Sequence, residues 1–178
     1  MMGSNTDPVM DPPTEPMMPA DPCMNGIDTG GVLPRRLTSM EYQNTIRDLL
    51  GIDVTDIVRF PPDEESLGFD NQAASLQMSP IHAESFQSAA EAIAKMATDN
   101  LDALMPCPSD EEPQVCAELF IRTFGRQAWR RPLTDDEISR LVMIYQYGRG
   151  LDSGDVAGGI SLVLEVLLQS PNFLYRIE

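Results

Sequence analysis

The sequence is short of the residues on which most enzyme chemistry is built. Its 178 residues include one His, one Trp and three Cys. Lys95 is the single lysine, so the basic side chains are otherwise all Arg. With His82 alone, a Ser/His/Asp triad or a Cys/His dyad would have to recruit that one residue, and no local signature supports it. The chain has no C-x-x-C, no C-x-x-C-H for covalent haem, no H-E-x-x-H and no Gly-rich phosphate loop. No metal site, no resident cofactor and no catalytic residue is therefore assigned, and His82 reads as a helix-surface residue. Runs of about 18 apolar residues are also absent, which excludes a transmembrane helix. Positive charge is scarce, 12 basic against 28 acidic residues, for a net charge of −16. Such a balance argues against nucleic acid and anionic membrane surfaces as partners, which need a basic footprint. Met1-Met2-Gly3-Ser4 is followed by neither a basic nor an apolar targeting region. Either the protein is cytosolic, or a targeting segment was removed or never included.

What is present is unevenly placed. Residues 1–33 carry five acids, no basic residue and no aromatic, with Pro8, Pro12, Pro13, Pro16, Pro19 and Pro22 interrupting every run. Proline removes a backbone donor and restricts its predecessor, and a stretch without aromatics has little to bury. This segment reads as a disordered, acidic, Pro/Met-rich linker, with a spacer between an anchor and a folded domain as the sharper reading. A first module is expected over 34–106, a second over 107–150, and the start of a third, truncated one over 151–178.

The folded part reads as all-α, an irregular bundle of about five helices. Thr38-Ser39-Met40-Glu41 is a capping box, Tyr42, Ile46, Leu49 and Leu50 share a face, and Gly51 closes the helix. Residues 52–78 read as a long ordered loop anchored by Phe60, Leu67 and Phe69. Ser79-Pro80 opens a second helix that could reach Leu104, with a break near Asp99-Asn100. Ser109-Asp110-Glu111-Glu112 is a second capping box, before a helix ended by Trp129-Arg130-Arg131-Pro132. Thr134-Asp135-Asp136-Glu137 is a third, opening a helix closed by Gly148 and Gly150. A fifth, from about Ser153 to Gln169, is apolar nearly all round and so needs cover on most faces. That surface predicts self-association or a partner. Gly158-Gly159 within it reads as a close helix contact. No strand pattern competes.

Several side chains are candidates for binding. Asp63, Glu64 and Glu65 match no Ca²⁺ loop spacing and read as a solvated acidic loop, with acid/base chemistry as the alternative. Arg130 and Arg131 either clamp an anion or pair with nearby acids, and Trp129 either stacks on a sugar or anchors a core. Cys107 and Cys116 either form a disulfide stapling a Pro-rich turn to a helix, which requires an oxidising compartment, or are unrelated thiols. Cys23 is left over.

The segment Arg35-Arg36-Leu37-Thr38-x-x-Glu41-Tyr42-x-Asn44-Thr45-x-Arg47-Asp48-Leu49-Leu50-Gly51 resembles the opening module of the planctomycete cytochrome c-associated domains of unknown function. These occur in large secreted multi-module bacterial proteins, also in myxobacteria. The Phe60-Pro61-Pro62-Asp63 to Gly68-Phe69-Asp70-Asn71 loop fits the same module. Phe124-Gly125-Arg126-x-Ala128-Trp129-Arg130-Arg131-Pro132-Leu133-Thr134 is similar to the next, and Leu167-Leu168-x-Ser170-Pro171-x-Phe173-Leu174-Tyr175-Arg176 to the first lines of a third. The resemblance implies an extracytoplasmic location (periplasmic, lipoprotein or secreted), a multi-module parent, and haem in missing modules or partners rather than in this chain. It also supports the Cys107–Cys116 pair. The expected role is a non-catalytic binding or scaffold module within an extracytoplasmic assembly. The alternatives are part of a redox protein whose haem lies elsewhere, or a fragment of a polysaccharide-acting enzyme. Asp63, Asp70, Trp129, Arg130 and Arg131 are the candidate ligand contacts.

Overall fold

Local capping sets the first helix. The Thr38 hydroxyl accepts from the Glu41 N–H, and the Glu41 carboxylate accepts from the Thr38 N–H at 2.9 Å, so two orphan donors are satisfied at the start of α1 (Ser39–Leu50). Gly51 ends the helix at φ 70°, in the left-handed region that glycine enters without a Cβ penalty. The computed structural model describes residues 34–57, 59–64, 68, 72–73, 75–108, 111–151 and 155–176. The linker reading of residues 1–33 lies outside them. So do the loop residues Glu65, Leu67, Phe69, Asp70 and Asn71, the cap residues Ser109 and Asp110, and Ser153.

After α1 come α2 (Pro80–Thr98), α3 (Leu101–Leu104), α4 (Pro113–Trp129), α5 (Asp135–Leu151), α6 (Val156–Gln169) and α7 (Pro171–Leu174). Ser79 caps α2 with Pro80 at its first position, and the break at Asp99-Asn100 separates α2 from α3. Thr134 and Glu137 exchange the hydrogen bonds of a second capping box at the start of α5. The all-α expectation holds, with seven helices among the described residues rather than five, two of them only one turn long. Three boundaries differ. α4 is capped at Glu112 with no side-chain bond, so the helix starts at Pro113. α5 runs through Gly148 and Gly150 to Leu151. The third difference is a two-stranded antiparallel pair, β1 (Arg35–Arg36) with β2 (Tyr175–Arg176), in register Arg35 to Arg176 and Arg36 to Tyr175. Two residues are too few for a period-two pattern, which is why the sequence shows no strand there. The Leu37 N–H extends the ladder to the Leu174 carbonyl at 2.7 Å.

From Leu33 onward the chain packs as one unit. α6 is its centre. It lies against α2 and α5 along most of its length and also meets α4 and α7. Ile160, Val163, Leu164, Leu167 and Leu168 are fully buried, and no residue of α6 is exposed. Its apolar surface is thus covered within the chain. The cover that its apolar faces call for comes from α2, α4, α5 and α7. The exposed large apolar side chains lie elsewhere, including Val115 and Leu119 on α4 and Met143 and Tyr147 on α5.

Glycine permits the α5–α6 approach. A Cβ on Gly159 would stand 2.6 Å from the Tyr145 ring, and one on Gly148 would stand 2.9 Å from the Gly158 carbonyl oxygen. The second aromatic layer joins α1, α2 and α7. Tyr42 packs edge-on against Phe60 and Phe173 and tilted against Phe86, with ring centroids 5.0–5.6 Å apart. Its hydroxyl is buried without a hydrogen-bond partner, and burial pushes its pKa up.

Cys107 and Cys116 are joined by a disulfide with Cα atoms 5.8 Å apart, tying the turn after α3 to the second turn of α4. Closing so short a loop is worth about 2–3 kcal/mol in the chain-entropy account.

Three expectations follow, the two glycine variants read by denaturant unfolding and the cysteine variant by thermal melting. Gly159→Ala should cost about 1–3 kcal/mol by overpacking. Gly150→Ala, where a Cβ meets nothing within 4 Å, should be neutral or gain up to about 1 kcal/mol from helix propensity. Cys116→Ser should lower the thermal midpoint under oxidising conditions, and the wild type should fall to meet it when reductant is added.

Candidate functional site

The ligand-contact candidates separate into two places. Asp63 belongs to the first. Its Oδ1 accepts from Arg36 Nη2 at 2.7 Å and its Oδ2 from the Ser39 backbone N–H at 2.7 Å. Arg36 is 1 % exposed, donates also to the Leu37 carbonyl, and lies over the Phe86 ring at 5.6 Å. Both oxygens of Asp63 therefore hold the fold, and the solvated-loop expectation for this residue gives way to a buried ion pair. His82 is close by and corrects the surface expectation: it is buried, with Nδ1 2.7 Å from the Ser79 hydroxyl. Burial pushes its pKa down and the Arg36 charge adds to this, while Asp63 and Glu64 oppose. Its Nε2 is buried and unpartnered, so the ring favours the neutral form. Asp70 lies outside the described residues.

Trp129, Arg130 and Arg131 form the second place, where α4 ends. The Trp129 indole N–H donates to the Leu167 carbonyl of α6 at 3.2 Å, which fixes the ring in the core. Arg131 covers that ring at 5.4 Å and grips Glu137 with both Nη atoms, at 2.9 and 2.7 Å. Arg130 is the C-cap of α4 at φ 57°, a left-handed conformation that costs a non-glycine residue about 1–2 kcal/mol. In return its Nη2 donates to the carbonyls of Asn172, Phe173 and Tyr175, at 2.9–3.2 Å, closing the end of α7. The three residues reach their positions because α7 and β2 fold back across the end of α4.

Between these elements lies an open depression of about 570 Å³, bordered by Trp129, Arg130, Arg131, Asn172, Tyr175 and Arg176. The sequence reading named the first three. It missed Asn172, Tyr175 and Arg176, because what joins them to residues 129–131 is the return of the chain after Pro171. The only local hint was Ser170-Pro171, the start of another short helix. Among the described residues, no group of three or more His, Cys, Asp and Glu could hold a metal ion, and no helix is long and apolar enough to cross a membrane.

The Arg131–Glu137 pair repeats the Arg35–Glu41 pair. In each, an Arg bonds both oxygens of the Glu six residues later, and a Thr midway completes the capping box. Arg131 holds the Glu137 carboxyl down at about 2, from an ordinary 4.5. A depressed carboxyl stabilises the fold fully above its unfolded pKa and loses that contribution as pH falls through the folded one. Glu137→Gln should therefore lower stability by about 1 kcal/mol at neutral pH. Urea melts at stepped pH should show the gap to wild type narrowing below pH 4.5 and closing near pH 2.

Residues 35–99 match the family described as PSD3, protein of unknown function (DUF1587), and residues 116–178 match PSD5, protein of unknown function (DUF1595). No curated protein and no solved structure matches the chain. The first match takes in β1, α1 and α2, and the second takes in α5, α6, α7, β2 and α4 from Cys116 onward. The chain thus carries in succession two of the planctomycete cytochrome c-associated domains of unknown function, DUF1587 and DUF1595.

Proposed function

We propose that this chain is a non-catalytic binding or scaffold unit of a larger exported bacterial protein, working outside the cytoplasm. The observation that carries the reading is the commitment of its reactive-looking groups to internal contacts. Asp63 holds Arg36 and Ser39, Glu41 holds Arg35, Glu137 holds Arg131, Arg130 closes α7, and Trp129 is pinned to α6. Groups used in this way stabilise a framework and are poorly placed to move protons or attack a substrate. The Cys107–Cys116 disulfide supports the compartment, because such bonds persist where thiols are oxidised. The two matched segments would act as consecutive parts of one binding body, with other modules or subunits as partners.

The redox alternative draws on the association of these domains with cytochrome c proteins. In that version the haem belongs to other modules or to a partner, since this chain carries no haem attachment motif. A polysaccharide-acting role has less behind it. Both oxygens of Asp63 are occupied, and the Trp129 ring that would receive a sugar is covered by Arg131.

Fractionation of the producing cells, with alkylation of free thiols before and after reduction, tests the leading reading. The chain should appear in the envelope or medium with Cys107 and Cys116 unreactive until reduced. Recovery from the cytoplasm with both thiols free would overturn it. A haem absorbance band that co-purifies with the native assembly would shift the balance to the redox alternative.

A further inference from the structure

In a chain of net charge −16, the depression at the end of α4 is bordered by three guanidiniums, those of Arg130, Arg131 and Arg176. Two of them are engaged. Arg131 is held by Glu137, and Arg130 by three backbone carbonyls. Arg176 differs. Among the described residues its side chain has no hydrogen-bond or ion-pair partner, and its Nε is buried without an acceptor. An orphaned buried donor is costly, and more so on a charged group. Arg35, which pairs with Arg176 across β1 and β2, is bonded to Glu41, so that carboxylate is already engaged on both oxygens.

We infer that this depression binds a compact carboxylate, gripped by the guanidinium of Arg176 and flanked by Arg130 and Asn172. The planar fork of Arg presents parallel N–H groups that match the two oxygens of a carboxylate. Repulsion between Arg176 and Arg130 adds to the burial that lowers the Arg130 pKa, and an anion between them would relieve it. Size follows from the charges at hand. Arg131 is matched by Glu137 and Arg35 by Glu41, and screening confines the remaining positive field to about 8–10 Å. One carboxylate group at a time therefore meets Arg176. The inference deepens the reading of the chain as a binding unit and rests on it. It names the ligand class: a carboxylate, either free as a small dicarboxylate or carried as an acidic side chain on a partner protein.

The chain supplies its own reporter, because Trp129 is the single Trp and borders the depression. The experiment is a fluorescence titration of the full, disulfide-bonded chain at constant ionic strength. The probes are succinate, inorganic phosphate and a capped tetra-aspartate peptide. Succinate or the peptide should give a saturable change, with phosphate weaker than both. A lower midpoint for the peptide assigns the carboxylate to a partner protein, and a lower midpoint for succinate assigns it to a free small molecule. Arg176→Gln should weaken the midpoint at least about tenfold, the loss expected of a charge-assisted bond. Asn172→Asp, which adds a repelling charge at an exposed position, should weaken it too and serves if Arg176→Gln melts early. Absence of a saturable change, a preference for phosphate, or an unchanged midpoint in a well-folded Arg176→Gln chain would overturn the site. None of these results bears on the compartment, which the fractionation tests separately.

Discussion

The ion pair between Arg36 and Asp63 is the contact on which the first half of the structure depends. Arg36 comes from β1 and Asp63 from the loop that follows α1, so the bond fixes the path of a segment with no helix or strand among its described residues. The other oxygen of Asp63 takes a backbone donor at the first turn of α1, and the guanidinium lies on Phe86 of α2. The two side chains of this pair thus connect strand, helix start, loop and second helix. Burying two charges is favourable only when their remaining hydrogen-bonding groups are met, and breaking one side of such a pair costs about 3–5 kcal/mol. Here the geometry meets all but the Arg36 Nε. The neighbouring His82 conforms to the same field: beside a buried cation and away from water, a neutral imidazole is the cheaper state.

The second organising feature is a local device used twice. Arg35-x-x-Thr38-x-x-Glu41 and Arg131-x-x-Thr134-x-x-Glu137 build the same clasp at the start of α1 and α5, one in each matched segment. The Leu before each Thr and the buried residue after each Glu, Tyr42 and Ile138, then steer the helix toward the core. The matched segments do not fold as separate bodies, however. α2 of the first lies along α6 of the second, and β1 pairs with β2 across the length of the chain. The helix that looked too apolar for its surroundings is the one both segments share.

What was legible in the sequence was local. The Thr38 and Thr134 boxes, the Ser79-Pro80 start and the Gly51 stop each depend on residues within a few positions of one another. Local chemistry alone decides such features. The disulfide was legible for a related reason, since its partners lie nine positions apart. What stayed hidden depends on distant pairing. Asp63 looked like one acid in a run of three until Arg36 was placed beside it. His82 looked exposed because its helix face is defined by a loop from elsewhere. Arg176 had no visible role until β2 was set against β1 and next to the end of α4. α4 starts later than the Ser109 box suggested, at Pro113 after Glu112, because proline suits the first helical position.

The position of the Arg-lined depression bears on how such a unit would act. Arg176 lies on β2, and β2 is held to β1 at the opening of the first matched segment. Arg130, from the second segment, grips the carbonyls immediately before and within β2. A ligand held by Arg176 would therefore sit beside the joint between the two segments, with Arg176, Arg130 and Asn172 all drawn from the second. A ligand that binds only the folded form stabilises it by an amount that grows with the logarithm of its concentration above Kd. Because Arg176 on β2 and Arg130 at the end of α4 would both face the ligand, that increment would fall mainly on the seating of α7 and β2 against α4, while the α2–α5–α6 core is secured independently by its buried apolar surface. Binding would then tighten the same α4–α7–β2 contacts that carry β2 to its pairing with β1, which fits the binding role we propose.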